Sequence, residues 1–304
     1  MGKTFYSNGK LLITGEYLVL DGAKAFALPT KFGQNLIIEE AEGQIIHWKS
    51  IDSDRSIWFE DNIPFSSVIR KERFDDAKGI KNTLIGILHE AFRMNPDFIT
   101  KSNGYKITTE LTFPKFWGLG TSSTLINNIA QWLQIDAFEL LKTSFGGSGY
   151  DIACAQNNSA IIYQLVNEKP SIECISFIPD FKDKIFFVYL NKKQNSKAAI
   201  ASYYGRQGNI HQSIAKINLI TESVINAKSA KEFAIALQSH EIEMSNILEL
   251  QTVKEALFHD FDGVIKSLGA WGGDFVMSIS KDNPTDYFKS KGFEIVVPYD
   301  EMIL

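Results

Sequence analysis

This sequence is poor in cysteine, and it has no long apolar run, no strong net charge and no secretory signal. Its only cysteines, Cys154 and Cys174, allow at most one disulfide, and in a chain without an export signal we expect free thiols. No run reaches the roughly 18 apolar residues that a transmembrane helix needs. A net charge of -5 gives no reason to expect nucleic acid or an anionic membrane as a partner. We therefore expect a cytoplasmic protein.

Several common site patterns are also missing. There is no G-x-x-x-x-G-K-[ST] phosphate loop and no G-x-G-x-x-G between a strand and a helix, which excludes the usual P-loop and Rossmann sites. Gly147-Ser148-Gly149 is not a nucleophile elbow, because Tyr150 stands where the second spaced glycine belongs. The histidines never fall in H-E-x-x-H spacing, so a zinc site of that kind is not expected.

Length and pattern predict an α+β protein with two domains. A chain of 304 residues is long for one core, and a content of 44% apolar and 22% charged residues is ordinary for a globular protein. Strand-like and helix-like segments alternate irregularly, which favours α+β over a parallel α/β sheet. The polar, proline-containing segment Asn167–Ser171 is the best candidate for a boundary, giving domains 1–167 and 168–304.

The most informative stretch is a glycine loop between a strand and a helix. Alternation over Tyr105–Leu111 predicts a half-buried strand, and helical spacing of apolar residues follows in Thr124–Leu133. Gly118 and Gly120 allow a ligand to approach the backbone closely. Thr121, Ser122 and Ser123 are candidate N-cap residues. The free N–H groups of a helix start can bind phosphate, although a plain capped turn has the same pattern.

Two more glycine-rich turns occur, at Phe145–Gly149 just before the acid Asp151 and at Gly269–Gly273. Three such turns in one chain favour an extended polyphosphate ligand, whose charge several turns can share.

The sequence also predicts strands and helices outside these turns. Lys10–Thr14 and Tyr17–Leu20 are predicted as short strands on either side of Gly15-Glu16. Longer helices are predicted over Asn82–Met94, Asn209–Asn226, Ser229–Leu250 and Val253–Leu268.

Taken together, these segments resemble the motifs of the GHMP kinase superfamily. The first motif matches Gly9–Leu20, with Asn8 where the family usually has proline. The second matches Pro114–Thr124, and the third matches Leu268–Phe275, with Trp271 in place of a glycine. Gly147–Ala153 is similar to the family's S-G-x-D-x-A segment, which carries its catalytic aspartate. The matches follow the family's order over nearly the whole chain.

The resemblance implies a two-domain fold, with a ribosomal-protein-S5-domain-2-like N-terminal half and a ferredoxin-like C-terminal half. It also implies an enzyme that uses ATP and Mg²⁺, with Asp151 and Lys10 as the catalytic residues and Lys10 near Asp151. The implied nucleotide-binding residues are Pro114, Gly118, Leu119, Gly120, Thr121, Ser122 and Ser123, with Ser122 also a ligand of Mg²⁺. The implied substrate-binding residues are Glu16, Ser148, Gly149, Ser196, Lys197, Gly272 and Gly273.

The acceptor is the least determined part of this interpretation. The motifs are most similar to the mevalonate and phosphomevalonate kinase branch. A basic segment favours phosphomevalonate, since cations would hold its phosphate, but a solvated basic face is an equal alternative; its residues are Lys192, Lys193, Lys197 and Arg206. A mevalonate kinase, a diphosphomevalonate-decarboxylase-like enzyme and a non-catalytic nucleotide sensor stay open. We expect a monomer or homodimer that binds ATP and a small-molecule substrate, with no nucleic acid and no membrane.

Overall fold

A computed structural model describes residues 2–76, 79–192, 203–204, 210–269, 271 and 273–304. The strands are β1 (Lys3–Thr14), β2 (Ala25–Glu40), β3 (Ile45–Ile51), β4 (Ile57–Pro64), β5 (Tyr105–Leu111), β6 (Ala160–Val166), β7 (Lys169–Ile175), β8 (Ile185–Tyr189), β9 (Val264–Ser267), β10 (Phe275–Ile279) and β11 (Val296–Pro298). The helices are α1 (Phe65–Arg70), α2 (Ile80–Met94), α3 (Asp97–Thr100), α4 (Thr121–Leu133), α5 (Ala137–Ser144), α6 (Tyr150–Gln156), α7 (Ile210–Asn226), α8 (Ala230–Leu248), α9 (Val253–Leu257), α10 (Thr285–Ser290) and α11 (Tyr299–Met302).

The chain divides into two compact units that interleave along the sequence. The first comprises Met1–Gly9, Phe32–Lys115 and Gly120–Gln156, and the second comprises Lys10–Lys31, Phe116–Leu119 and Asn157–Leu304. Strands β1 and β2 therefore contribute residues to both units. The boundary predicted after residue 167 falls in the turn between β6 and β7, where Asn167 and Glu168 have positive φ. The division into 1–167 and 168–304 stays a prediction.

In the first unit, a sheet with strand order β4-β3-β5-β2 packs against helices. Strand β5 pairs antiparallel with β2 and parallel with β3. Alternate residues of β5 are buried, as the sequence pattern predicts. The apolar face of α2 packs into the same core, which includes Leu84, Ile85 and Leu88. The predicted strand at Tyr105–Leu111 and the predicted helix at Asn82–Met94 are both confirmed.

In the second unit, one sheet portion has the order β2-β6-β7 and a separate four-stranded sheet has the order β11-β8-β10-β9. Every pairing in the four-stranded sheet is antiparallel. Its two central strands, β8 and β10, are buried along their whole length, which explains their mainly apolar sequences. The long helices α7 and α8 pack on each other, and Ser229 caps α8 by accepting a hydrogen bond from Glu232 N.

Two local predictions are wrong. Tyr17–Leu20 is not a strand, because positive φ angles at Gly15 and Tyr17 end β1 and the chain then forms a 3₁₀ turn over Leu18–Asp21. The helix predicted over Val253–Leu268 stops at Leu257, and Val264–Ser267 instead forms β9 by pairing with β10. In the second case the apolar spacing was compatible with a helix, and only the distant partner strand decides the outcome.

The predicted α+β class is confirmed, since both units combine helices with mainly antiparallel sheets. Within the described part of the chain, no helix is both long enough and apolar enough to cross a lipid bilayer.

Candidate active site

Helix α4 of the first unit begins directly at the glycine loop. Its N-cap residue is Gly120, with φ 97°, and no side chain forms a capping hydrogen bond. The prediction that Thr121, Ser122 or Ser123 caps this helix is therefore wrong, because all three already lie inside its first turn. A helix start without a capping side chain leaves its first N–H groups to other acceptors. This is the local arrangement that a phosphate cradle needs.

A buried network of polar side chains holds α4 in place. Ser7 Oγ of β1 donates to Asn128 Oδ1 at 2.7 Å and accepts from Asn127 Nδ2 at 2.8 Å. Asn128 Nδ2 donates to the carbonyl of Gln34 at 2.9 Å, and Thr124 Oγ1 donates to the Gln34 side chain at 2.7 Å. A fully satisfied network in a dry interior rigidifies its surroundings. It therefore fixes the helix start relative to the neighbouring strands.

Asp151 lies in the first turn of α6, in the same unit. The turn before it has positive φ at Gly146, Gly147 and Gly149, which only glycine adopts without strain. Asp151 is half-buried. Helix α6 packs against α4, and Gln156 Nε2 donates to Asn127 Oδ1 at 3.0 Å. The carboxylate thus stands on a helix whose orientation is set by the helix of the glycine loop.

Lys10, Gly118 and Asp274 meet in the second unit. The backbone N–H of Lys10 donates to the carbonyl of Leu119 at 3.0 Å, and Lys10 Nζ lies 3.4 Å from the carbonyl oxygen of Gly118. A Cβ on Gly118 would come within 2.2 Å of Asp274 Oδ2, so the Asp274 side chain lies directly against the glycine. Gly118 of the second motif therefore contacts both Lys10 of the first motif and Asp274 of the third.

Aromatic residues fix the start of the glycine loop on the four-stranded sheet. The Trp117 ring packs edge-on against Phe275 of β10, with 5.3 Å between centroids. Tyr189 Oη of β8 donates to the carbonyl of Phe116 at 3.1 Å. Burial raises the pKa of Tyr189, and the negative charge of Asp274 raises it further. The phenol therefore stays a neutral donor.

The Gly15-Glu16-Tyr17 tripeptide of the first motif is attached to the C-terminal part of the chain through each of its residues. Gly15 N donates to His240 Nε2 at 3.1 Å, and Lys266 Nζ lies 2.5 Å from Glu16 Oε1. Tyr17 Oη accepts a hydrogen bond from the backbone N–H of Trp271 at 2.9 Å. The hydrogen bond between Tyr17 and Trp271 thus joins the first motif directly to the third.

The centre of this junction is a buried charge cluster. Lys266 is 0% exposed, with Glu16 and Glu241, each 3% exposed, on either side at 2.5 and 3.2 Å. Ser267 donates to Glu241 from both its N–H and its hydroxyl. His240 is also 0% exposed, and burial together with Lys266 holds its pKa well below the usual value. One cation therefore faces two carboxylates beside a neutral imidazole.

In this cluster the pKa of the Glu16 carboxyl group is raised. Burial raises its pKa to about 7, although the charge of Lys266 opposes the shift. Glu16 Oε2 lies 3.3 Å from His240 Nε2, which already accepts the Gly15 N–H. The buried carboxyl group of Glu16 therefore keeps its proton to a higher pH than an exposed glutamate does.

Comparison with known proteins identifies the fold. The sequence matches no family model and no curated protein. The structure matches the Methanococcus jannaschii mevalonate kinase with a TM-score of 0.71 at 15% identity, covering 97% of this chain and 96% of that one. It matches the Streptococcus pneumoniae phosphomevalonate kinase in complex with phosphomevalonate and AMPPNP with a TM-score of 0.69 at 16% identity, covering 97% and 99%. Lactococcus lactis galactokinase complexed with galactose matches with a TM-score of 0.65 at 12% identity, covering 95% and 88%.

This chain has the GHMP kinase fold. Since the matched structures include kinases of different acceptors, the fold by itself does not select one substrate.

Within the GHMP kinase fold, the predicted site residues are distributed over both units. In the first unit lie Pro114, Gly120, Thr121, Ser122, Ser123, Ser148, Gly149 and Asp151. In the second lie Lys10, Glu16, Gly118, Leu119 and the buried Gly273. Outside the described residues are Ser196, Lys197 and Gly272. The functional role of each stays a prediction, and the observed partner of Glu16 is Lys266.

The partners of the first motif, Lys266, His240 and Glu241, were not predicted from the sequence. One signal was available for Lys266, which interrupts the apolar segment Val264–Leu268. A charged residue at a buried strand position needs a partner. No local pattern indicates which carboxylate supplies it.

The contact between Gly118 and Asp274 predicts that Gly118→Ala destabilises the protein. The added Cβ would overlap Asp274 Oδ2 at 2.2 Å, and the φ of +69° is strained for alanine. We expect a loss of roughly 1–3 kcal/mol in the free energy of unfolding, measured by chemical denaturation. Gly86→Ala in α2 is the matched control, because open space surrounds that glycine. If adding Asp274→Ala restored no stability to Gly118→Ala, the proposed steric cause would be wrong.

The buried cluster predicts a large effect of Lys266→Met. This change leaves Glu16 and Glu241 buried without a cation, and we expect a loss of roughly 3–5 kcal/mol. The control is Lys49→Met, which breaks an ion pair with Glu60 whose side chains are 38% and 56% exposed. We expect about 1 kcal/mol or less for the control. Similar losses in the two variants, measured by urea unfolding, would contradict the importance of the buried cluster.

The raised pKa of Glu16 predicts a specific pH dependence of stability. Its ordinary value is 4.5, whereas its pKa in the folded protein is about 7. Between these values the folded state binds more protons than the unfolded state, so this group lowers stability as the pH rises. We expect Glu16→Gln to remove that contribution, while Lys266, Glu241 and His240 remain. Between these pH values the free energy of unfolding should then fall less steeply with rising pH in the variant than in the unaltered protein. Parallel curves of the free energy of unfolding against pH would refute the raised pKa of Glu16.

Proposed function

We propose that this chain is an ATP-dependent small-molecule kinase, which transfers the γ-phosphoryl group to a mevalonate-type acceptor, with phosphomevalonate favoured. The contact of Lys10 with Gly118 and of Gly118 with Asp274, on a GHMP kinase fold, carries the proposal. Residues of three motifs far apart in sequence meet there, which a chance likeness of glycine turns would not produce.

Nucleotide binding would use the glycine loop and the start of α4. The loop supplies glycines at positions 118 and 120, both with positive φ, and α4 has no capping side chain. Oxygens of a triphosphate can accept the free N–H groups and interact favourably with the helix dipole. The AMPPNP in the complex of the S. pneumoniae neighbour supports ATP as the nucleotide.

The hydroxyl of Ser122 would be the protein's ligand to Mg²⁺. It lies in the first turn of α4 and is half-buried. Among the described residues, no group of three or more His, Cys, Asp or Glu side chains is arranged to hold a metal. Mg²⁺ in kinases usually binds few protein ligands together with the substrate phosphates, so a hydroxyl at this place is compatible with it. The ion would supply charge neutralisation on the phosphates.

Asp151 and Lys10 would carry the chemistry. Asp151 would accept, or orient, the proton of the acceptor hydroxyl as its oxygen attacks the γ-phosphorus and the bond to the ADP oxygen breaks. Lys10, 9% exposed, would neutralise charge on the transferring group. Phosphoryl transfer depends mainly on such positioning and charge neutralisation. Ser148 and Gly149, next to Asp151, and Gly273 of the third motif would contact the acceptor, whereas Glu16, also predicted to bind the substrate, has Lys266 as its observed partner.

The preference for phosphomevalonate depends on the basic segment after β8. Its first member, Lys192, accepts a hydrogen bond from Asp274 N through its backbone carbonyl at 2.8 Å. The segment therefore starts at the third motif. The further basic residues Lys193, Lys197 and Arg206 lie outside the described residues. Cations near the third motif would favour an acceptor that already bears a phosphate.

An ATP-consumption screen tests the proposal with mevalonate, phosphomevalonate, homoserine and galactose as acceptors. We expect turnover with phosphomevalonate above that with the others. Higher turnover with mevalonate would replace the favoured acceptor by the unphosphorylated one. Release of CO₂ from a diphosphate acceptor would identify a decarboxylase, and ATP binding without turnover of any acceptor would favour a sensor.

The role of Asp151 predicts that Asp151→Asn lowers turnover by roughly 10²–10⁴-fold while nucleotide affinity stays nearly unchanged. The amide keeps the shape of the side chain but cannot take a proton. Asp136→Asn is a matched control, because Asp136 is also a helix-start carboxylate and asparagine caps helices equally well. Steady-state kinetics and nucleotide titration measure both quantities. Near-normal turnover in Asp151→Asn would remove Asp151 from the catalytic role.

A further inference from the structure

Trp271 departs from the glycine of the resembled family motif, and its side chain is buried in the second unit. It is 8% exposed and packs in an apolar cluster. The other buried members of that cluster are Tyr17, Leu18, Ala23, Tyr203, Ile217, Met244 and Leu248. A glycine at this position could make none of these contacts.

Two hydrogen bonds hold Trp271 at both its backbone and its side chain. Its backbone N–H donates to Tyr17 Oη at 2.9 Å. Its indole Nε1 donates to the carbonyl of Gln251, between α8 and α9, at 3.0 Å. Both donors of the residue are therefore used by the protein itself.

The backbone and the ring of Tyr17, whose hydroxyl accepts a hydrogen bond from the Trp271 amide, are themselves held in place. Its backbone has φ 61°, which a bulky residue adopts only where its surroundings enforce it. Its ring stacks on Tyr203 with 5.8 Å between centroids and an interplanar angle of 27°. Tyr203 Oη in turn donates to Asp21 Oδ2 at 2.7 Å. The acceptor of the Trp271 amide is thus held by its own backbone conformation and by Tyr203.

We propose that Trp271 is a positioning residue that fixes its own backbone, within the third motif, before any ligand binds. In this arrangement the Trp271 amide donates to the Tyr17 hydroxyl and is therefore not available to a ligand. A glycine turn must be ordered when the ligand binds, whereas an anchored backbone has lost that freedom already. The kinetic consequence rests on the proposed kinase function, but the anchoring itself does not.

Hydrogen exchange of the ligand-free protein tests the anchoring without any activity. We expect slow exchange of the Trp271 amide in the unaltered chain, and exchange faster by about tenfold or more in Trp271→Gly and in Tyr17→Phe, because opening becomes easier. Trp48→Phe is the matched control, since Trp48 is also buried and its Nε1 also donates one hydrogen bond of 3.0 Å, to Ser50 Oγ. The control should leave this amide unchanged.

Steady-state kinetics then test the consequence for substrate binding. We expect Trp271→Gly to raise the KM for at least one phosphate-bearing substrate by about tenfold with a much smaller change in kcat, since the ordering cost returns on binding. Trp271→Phe, which keeps a ring in the cluster, should restore most of the loss. Trp48→Phe should lower stability without raising KM.

The two arms separate the possible failures. Fast exchange of the Trp271 amide in the unaltered, ligand-free protein, slowed only by added nucleotide, would overturn the inference. Slow exchange in a protein without phosphotransfer would overturn the proposed function and leave the anchoring intact. If Trp271→Gly does not fold, Tyr17→Phe still decides, because it removes only the hydroxyl that accepts the amide.

Discussion

The ion pair between Glu16 and Lys266 is the interaction on which the second unit most depends. It joins residues 250 positions apart in the sequence, at 2.5 Å and almost without solvent exposure. Charges in such a place are costly unless each finds a partner, so Glu241 and the neutral His240 belong to the same arrangement. Because Glu16 is in the first motif and Lys266 lies two residues before the third, the pair brings the two motifs together.

The neighbours of this pair have separate tasks. Gly15 adopts a positive φ, and its N–H donates a hydrogen bond to His240. The hydroxyl of Tyr17 accepts a hydrogen bond from the backbone N–H of Trp271. The cluster therefore stabilises the backbone of two motifs at once.

In the first unit, hydrogen bonds between neutral side chains hold helix α4 in place. The glycine loop leads into α4 without a capping side chain. Ser7 of β1 forms hydrogen bonds with Asn127 and Asn128 of this helix. The amide donors at the front of the helix are thus left to an outside acceptor while the rest of the helix is rigid. Preorganised donors of this kind stabilise developing charge with little reorganisation.

Local structure followed from the sequence where a segment's own pattern was sufficient. The strand Tyr105–Leu111, the helix Asn82–Met94 and the positions of the glycine turns all follow from periodicity and backbone freedom, which neighbouring residues determine. The order of the turns also indicated the GHMP kinase fold. Tertiary structure alone decided that Val264–Ser267 is a strand, that Tyr17 begins a turn, and that Lys266 pairs with Glu16. These outcomes depend on partners far along the chain, and burial of a charge or pairing of a strand has no local signature that names its partner.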